Sequence, residues 1–289
     1  IGEEGRDNLK EISGYVSGNY YTSLTDQAPG LAESEIFITS DGTERKYKLS
    51  SALQNRTDIE DILGKRVTAY YSELDREITT LNVNTPTTRI IKEQDIKSIS
   101  GSTLKYGRDV TMSLDGYIFI YNGKYLPTDQ ALTLLNSQFE NGQIELINEN
   151  IKVAKVTSYT VGVVKSYTSS NKKIYFRYDI TNTPYEYKPG EFDLVMVNGA
   201  ETDPDNVTFS SYNVLNILES PAGATGNTLK KMYVTKKNVS GTVTETTDNN
   251  RAVILNDTTY YLTKAYHNFT GTPSEQKAPF DIDGSYNCY

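Results

Sequence analysis

One outline is written twice in this chain. Gly14-x-Val16, Ile36-x-Ile38, Tyr47-x-Leu49 and Asp61-Ile62-x-Gly64 occur in that order. Far downstream come Gly241-x-Val243, Val253-x-Leu255, Tyr260-x-Leu262 and Asp281-Ile282-x-Gly284. A third, fainter copy is Gly162-x-Val164 followed by Ile174-x-Phe176. Apolar residues at alternate positions between polar turns are the signature of half-buried strands. Repetition in fixed order marks one supersecondary unit used more than once, with the variation confined to its loops. The second copy stops before counterparts of the strands that close the first. The outline therefore predicts an unpaired edge, filled by a chain that continues beyond Tyr289 or by strands from another chain. The start at Ile1 rather than Met predicts a processed end or a cut within a longer protein.

Local signals fill in this plan. EIFITSDGTERKYKL reads as a hairpin whose turn, Asp41-Gly42, accepts positive φ. TDIEDILGKRVTAYY gives a short helical or turn segment stopped by Gly64, then a strand, and REITTLNV reads as the closing strand. Thr85-Pro86 breaks the chain. IIKEQDIKSI and LKYGRDVTMSL fit neither period cleanly, whereas DGYIFIYNGKYL is a second hairpin with Asn122-Gly123 at its tip. PTDQALTLLNSQF is the best helix, with Thr128 as N-cap, Leu132, Leu135 and Phe139 on one face, and Asn141-Gly142 as the stop. VAKVTSYTVGVVKSY reads as a long strand or a pair bent around Gly162. The fold class expected is mainly β: tandem small β-barrel or sandwich-like modules with one short helix-containing α+β insert module. The expected divisions are a β module over 11–83, a mixed module over 84–155, a β module over 156–238 and an incomplete repeat of the first over 239–289, with residues 1–10 a polar lead-in.

The side-chain inventory narrows the chemistry. Tyr is in excess, 23 against 8 Phe and no Trp, as suits sheet faces whose rings pack while their hydroxyls stay wet. A net charge of −8, with lysines only in pairs such as Lys172-Lys173, Lys230-Lys231 and Lys236-Lys237, argues against a nucleic-acid partner. Those pairs are expected at solvated strand edges or turns. No apolar run is long enough to span a bilayer, so no membrane insertion is expected. Cys288 is the only cysteine, which rules out an intrachain disulfide.

His267 is the only histidine, so any Ser-His-Asp or Cys-His site would need it, yet it lies in a Tyr/Asn/Thr-rich stretch without a nucleophile signature. Cys288 has no basic neighbour to lower its pKa. Paired His or Cys metal motifs are impossible with one of each. DPDN at 203–206 and DIDG at 281–284 place carboxylates at alternate positions, but neither completes a calcium loop with a distal bidentate Glu. No phosphate-binding Gly motif occurs. The expectation is therefore no enzyme activity, no catalytic, cofactor-binding or metal-binding residues, and no cofactor.

The ordered motifs resemble those of β modules in bacterial surface-layer proteins, the cell-surface proteins that carry surface-layer homology domains. The likeness rests on Gly14-x-Val16, DGTERKYKL, DILGKRVTAYY, YNGKYL, GQIELI, YNVLNILES, KKMYVTKKNV and VSGTVTE, and covers most of 12–289 in order. It implies a secreted β-module array at the bacterial cell surface, in the surface layer or attached to the cell wall. The family's acidic loop after its GxIxLI strand is here NENIKVAKV, with Glu149 its one carboxylate, so no calcium site carries over. The wall-anchoring domains are absent from this stretch. The function expected is a structural, non-catalytic module array that self-assembles into a lattice or filament, a homo-oligomer through sheet edges and Tyr-rich faces, with cell-wall polysaccharide as a further partner. The alternatives are a phage tail or fibre protein and a glycan-binding accessory region of a surface enzyme.

Overall fold

The computed structural model describes residues 9–55, 58–84, 88–247, 251–269, 282 and 285–288. Residues 1–8 of the expected lead-in, the break at Thr85-Pro86 and the repeat anchors Asp281 and Gly284 lie outside the described residues, and Lys10, the last residue of that lead-in, already belongs to a strand. The protein is mainly β, as the alternation predicts. It divides into two compact units: Ile1–Ser158 with Ser220–Leu229, and Tyr159–Glu219 with Lys230–Tyr289.

The first unit begins with β1 (Lys10–Gly18), β2 (Glu35–Ser40), β3 (Thr43–Leu49), a single helical turn α1 (Ser51–Gln54), β4 (Arg66–Tyr71) and β5 (Glu77–Val83). The strands close into a barrel in the order β1-β2-β3-β5-β4. β3 runs parallel to β5, with Lys48 opposite Glu77 and Leu49 opposite Ile78. This is the Greek-key arrangement of an OB barrel. Side chains fill its interior: Val16, Ile36, Ile38, Leu49, Val67, Ala69 and Ile78 are fully buried. The β2–β3 turn has Asp41 at φ 48° and Gly42 at φ 75°, the mirror-image turn that matches strand twist.

β6 (Thr88–Lys92) leads through a 3-10 turn into a three-stranded meander, β7 (Ile96–Ser100), β8 (Thr103–Tyr106) and β9 (Val110–Ser113). These are the stretches whose period was ambiguous in sequence, because their outward positions are polar and their strands only four or five residues long. The hairpin β10 (Ile118–Tyr121) and β11 (Lys124–Leu126) follows, then α2 (Thr128–Ser137), β12 (Gln143–Asn148) and β13 (Lys152–Thr157). They form a sheet in the order β11-β10-β13-β12-β6. Ile120, Ile147 and Val153 on one face belong to the barrel's core cluster. Phe119, Ile144, Leu146, Ala154 and Val156 on the other face pack with Ala131, Leu135 and Phe139. Burial on both faces is why IFIY and IELI are nearly continuous apolar runs.

Two expectations are corrected here. Thr128 is the first helical residue of α2 rather than its cap; Pro127, with extended ψ of 144°, occupies the cap position and makes no side-chain capping bond. The run 153–167 breaks at Ser158 and Tyr159, not at Gly162. Ser158 is buried and held by Asn122, whose Nδ2 donates to the Ser158 carbonyl (2.9 Å) and whose Oδ1 accepts from the Ser158 amide (2.8 Å).

The second unit repeats the barrel plan. Its elements are β14 (Thr160–Thr168), β15 (Lys173–Phe176), β16 (Tyr185–Glu186), β17 (Leu194–Val197), β18 (Ala200–Glu201), β19 (Val214–Glu219) and β20 (Lys230–Thr235). β14 pairs with β15 and β19 as β1 pairs with β2 and β4. The counterpart of β3 is split by the 3-10 turn Pro189–Glu191. Its first piece, β16, pairs antiparallel with β15, and its second, β17, pairs parallel with β20. Proline at the start of that turn lacks the amide a continuous strand would need.

β21 (Val239–Thr247), β22 (Ala252–Leu255), β23 (Thr258–Tyr261), α3 (Lys264–Asn268) and β24 (Ser285–Cys288) begin the plan again. β21 pairs with β22 and β24, and β22 with β23, matching β1 through β4. A register shift follows the valine of Gly-x-Val in all three copies: Val16/Gly18, Val164/Ser166 and Val243/Glu245. The glycine is needed for close approach. A Cβ would meet the Thr39 carbonyl oxygen at 2.2 Å from Gly14, the Phe176 ring at 2.4 Å from Gly162 and the Asn256 side chain at 2.7 Å from Gly241.

Candidate functional site

Of the candidate residues, Asp203 and Asp205 are engaged in structure. Asp203 caps the 3-10 turn Pro204–Asn206: its Oδ1 accepts from the Asp205 amide (3.0 Å) and its Oδ2 from Asn206 Nδ2 (2.9 Å). Asp205 pairs with Lys172 at 3.6 Å. His267 is half-buried in α3, beside Tyr266, which packs edge-on against Tyr178. Cys288 is a residue of β24, and its side chain lies outside the described residues. Asp281, Asp283 and Gly284 of the second acidic motif lie outside them also. Glu149 is exposed in the turn between β12 and β13. Among the described residues no group of three or more His, Cys, Asp or Glu side chains is placed to hold a metal ion, and no helix is long and apolar enough to cross a membrane.

Lys230, Lys155 and Lys124 are withdrawn from solvent, and only structure reveals it. Lys230 lies on β20, inside the sheet between β17 and β19, rather than at the edge or turn expected for a Lys-Lys pair. It is 8% exposed. Its ammonium contacts Glu191 (3.0 Å) and Glu219 (3.2 Å) and lies over the Phe192 ring at 5.1 Å. Burial alone would lower its pKa, but the Glu191 hydrogen bond and its neighbours outweigh that and the net direction is upward. In the first unit, Lys155 is the cross-strand partner of Glu145 on the sheet face turned to the barrel. Glu145 contacts both Lys155 and the barrel's Lys65 at 3.3 Å, and Lys65 also contacts Asp61 at 2.8 Å. Burial lowers the Lys155 ammonium, with Glu145 opposing.

The third is Lys124 of β11, which has no exposed surface. Its Nζ donates to the backbone carbonyls of Tyr21 (2.6 Å), Gln27 (2.9 Å) and Thr225 (2.7 Å). An ammonium has three N–H donors, so three carbonyls satisfy it fully. Burial pulls its pKa down to about 8, against the opposing pull of the Asp26 carboxylate.

A shallow, open cleft of about 520 Å³ in the second unit is lined by residues 170–172 and 186–191. The β14–β15 turn forms one wall and the 3-10 turn at Pro189 the other. Lys172 and Lys188 supply positive charge and Glu186 and Glu191 negative charge. Tyr187, whose hydroxyl donates to the Pro204 carbonyl at 2.6 Å, is buried beneath it rather than presented as a platform.

The fold thus defines a protein with one closed OB-type barrel, a mixed sheet built onto it, and two further copies of the barrel's strand-pairing plan, the last carried through four strands among the described residues. No known protein family, characterised protein or solved structure matches the chain.

Proposed function

We propose that this chain is a non-catalytic structural module array of a bacterial surface layer or cell envelope, one that self-associates into a lattice or filament. The observation that carries the reading is the recurrence of one strand-pairing plan in three places, the third carried through four strands among the described residues, with the same register shift after the same Gly-x-Val. Tandem copies of one unit extend a chain along its length and suit a spacer or lattice element. The use of Asp203 as a turn cap, and of Glu145, Glu191 and Glu219 as lysine partners, fits carboxylates that hold structure. The likeness of the strand motifs to surface-layer β modules supports the same assignment and an extracellular location. Electron microscopy of the purified protein tests it: a regular array is expected, and a strictly monomeric species at high concentration would overturn it.

The open cleft, with charged side chains of both signs in its lining, favours a second reading, an accessory module that binds cell-wall glycan. Sugar hydroxyls need the mixed donors and acceptors that Lys172, Glu186 and Lys188 supply there. Glycan-array binding that is lost in Lys172→Ala and Glu186→Ala would favour it over the lattice alone.

A further inference from the structure

The segment between β19 and β20 leaves the unit of its neighbouring strands. Its flanking strands belong to the second unit, whereas Ser220–Leu229 itself is part of the first. Sequence marks it only as a Gly-rich turn, PAGATGN. Its own fold accounts for that composition: Gly223 and Gly226 have φ of 79° and 72°, and Gly226 lies so near Ala28 that a Cβ would come within 2.8 Å.

Two kinds of contact hold the segment. The first kind is exposed: the Thr225 amide donates to Gln27 Oε1 (2.9 Å), and Asn227 Nδ2 donates to the Tyr20 carbonyl (3.1 Å). Water competes for these groups, so each adds little net free energy. The second kind is buried. Ser220 Oγ donates to the Asn122 carbonyl and accepts from the Leu229 amide. Leu229 lies against Gly123, where a Cβ would be 3.0 Å from its Cδ2. Lys124 Nζ donates to the Thr225 carbonyl.

Among the described residues no carboxylate is ion-paired with Lys124. Three carbonyl dipoles take that role, from residues 103, 97 and 101 positions away in sequence. A buried charge is tolerated only where polar partners replace its water. An apolar side chain of equal length would strand three carbonyl oxygens facing one another. A planar guanidinium could not meet three acceptors arranged around a single nitrogen.

We propose that Lys124 is a positioning residue whose ammonium fastens the Ser220–Leu229 segment onto the first unit, and that its three carbonyls form a site for a primary ammonium group. Two of the three acceptors sit on mostly exposed stretches, Thr225 on residues 222–228 and the half-buried Gln27 on residues 25–30, whereas Tyr21 is buried. Loss of the ammonium therefore loosens residues 222–228 and the facing stretch 25–30, and leaves the barrel strands β2 and β3 closed.

Hydrogen exchange on the whole chain tests this, comparing wild type with Lys124→Met and Lys124→Ala. The expected result is a loss of protection of about tenfold or more at residues 222–229, the scale of one strong buried hydrogen bond, with β2 and β3 unchanged. Adding propylammonium to Lys124→Ala is expected to restore protection there, and propanol is expected to have no effect. Protection within twofold of wild type in Lys124→Met, or equal rescue by the neutral alcohol, would overturn the proposal. Should both variants fail to fold, nitrogen NMR of the wild type decides: a slowly exchanging Lys124 ammonium resonance supports the cage, and exchange as fast as that of surface lysines refutes it.

Discussion

Gly14 lies against the backbone of Thr39 so closely that a Cβ on it would be 2.2 Å from the Thr39 carbonyl oxygen. The contact sits two residues before the register shift that bends β1 around the barrel. A backbone oxygen cannot swing aside as a side-chain tip can. Gly14→Ala is therefore expected to destabilise the first unit by about 3 kcal/mol, at the upper end of overpacking costs. Gly190→Ala, where nothing lies within 4 Å and φ is ordinary, is the control and should stay within about 0.5 kcal/mol of wild type. Chemical denaturation of the two variants checks both values.

Glu145 links the barrel to the sheet built onto it. It contacts Lys65 of the barrel and Lys155 of β13, and its side chain is only 12% exposed. Removing it leaves two half-buried ammonium groups facing each other. Glu145→Gln is expected to cost about 2 kcal/mol, below the range for a fully buried pair because water reaches this one. Lys155→Met in the Glu145→Gln background should recover part of that loss, since the remaining unpaired charge is gone. A double-mutant cycle by thermal denaturation measures it.

Asp203 is read here as a cap, which sets a clear expectation for calcium. Its two carboxylate oxygens already accept from the Asp205 amide and Asn206 Nδ2. Asp203→Ala should cost about 1 kcal/mol, the usual scale for losing a cap. Millimolar calcium or its chelation should leave Tm unchanged. A calcium-dependent rise in Tm that disappears in Asp203→Ala would replace the cap with a metal site.

The tyrosines predict how the protein responds to alkali. Burial, with the nearby Tyr233, pushes the Tyr159 phenol up to about 12, and burial likewise raises Tyr121, Tyr185 and Tyr187. An unfolded tyrosine ionises near 10. Between those values the folded state keeps protons that the unfolded state loses. Stability from these groups is complete below about pH 10 and declines as pH rises toward 12. Absorbance at the phenolate band should rise in two stages, with the second coinciding with loss of the β-sheet circular dichroism signal. One smooth titration centred near pH 10 with the fold intact would refute it.

Hairpins, repeats and fold class were legible in sequence because each rests on local rules. Asp41-Gly42 and Asn122-Gly123 adopt the positive φ their residue types permit, and alternation in IFITS and KYKL marks which side chains turn inward. Three of the four shared anchors fall on or beside strands that pair in the same order in both copies, and the fourth lies largely outside the described residues; the register shift that unites the copies is a property of pairing and has no residue signature of its own. Glycine's role at 14, 162 and 241 was likewise invisible, because what it makes room for is a carbonyl in one copy, a ring in the second and an amide in the third.

By itself, then, the chain's order of residues determined the strands, their turns and the reuse of one unit, since those depend on neighbours within a few positions. Tertiary structure alone decided which lysines lose their water. Lys124, Lys155 and Lys230 read like any other surface lysine, yet one is enclosed by three carbonyls, one faces a glutamate across a buried sheet face and one sits between two glutamates and an aromatic ring. The partners that tame each charge arrive from distant parts of the chain, and the energy of a buried charge is set by what surrounds it in space.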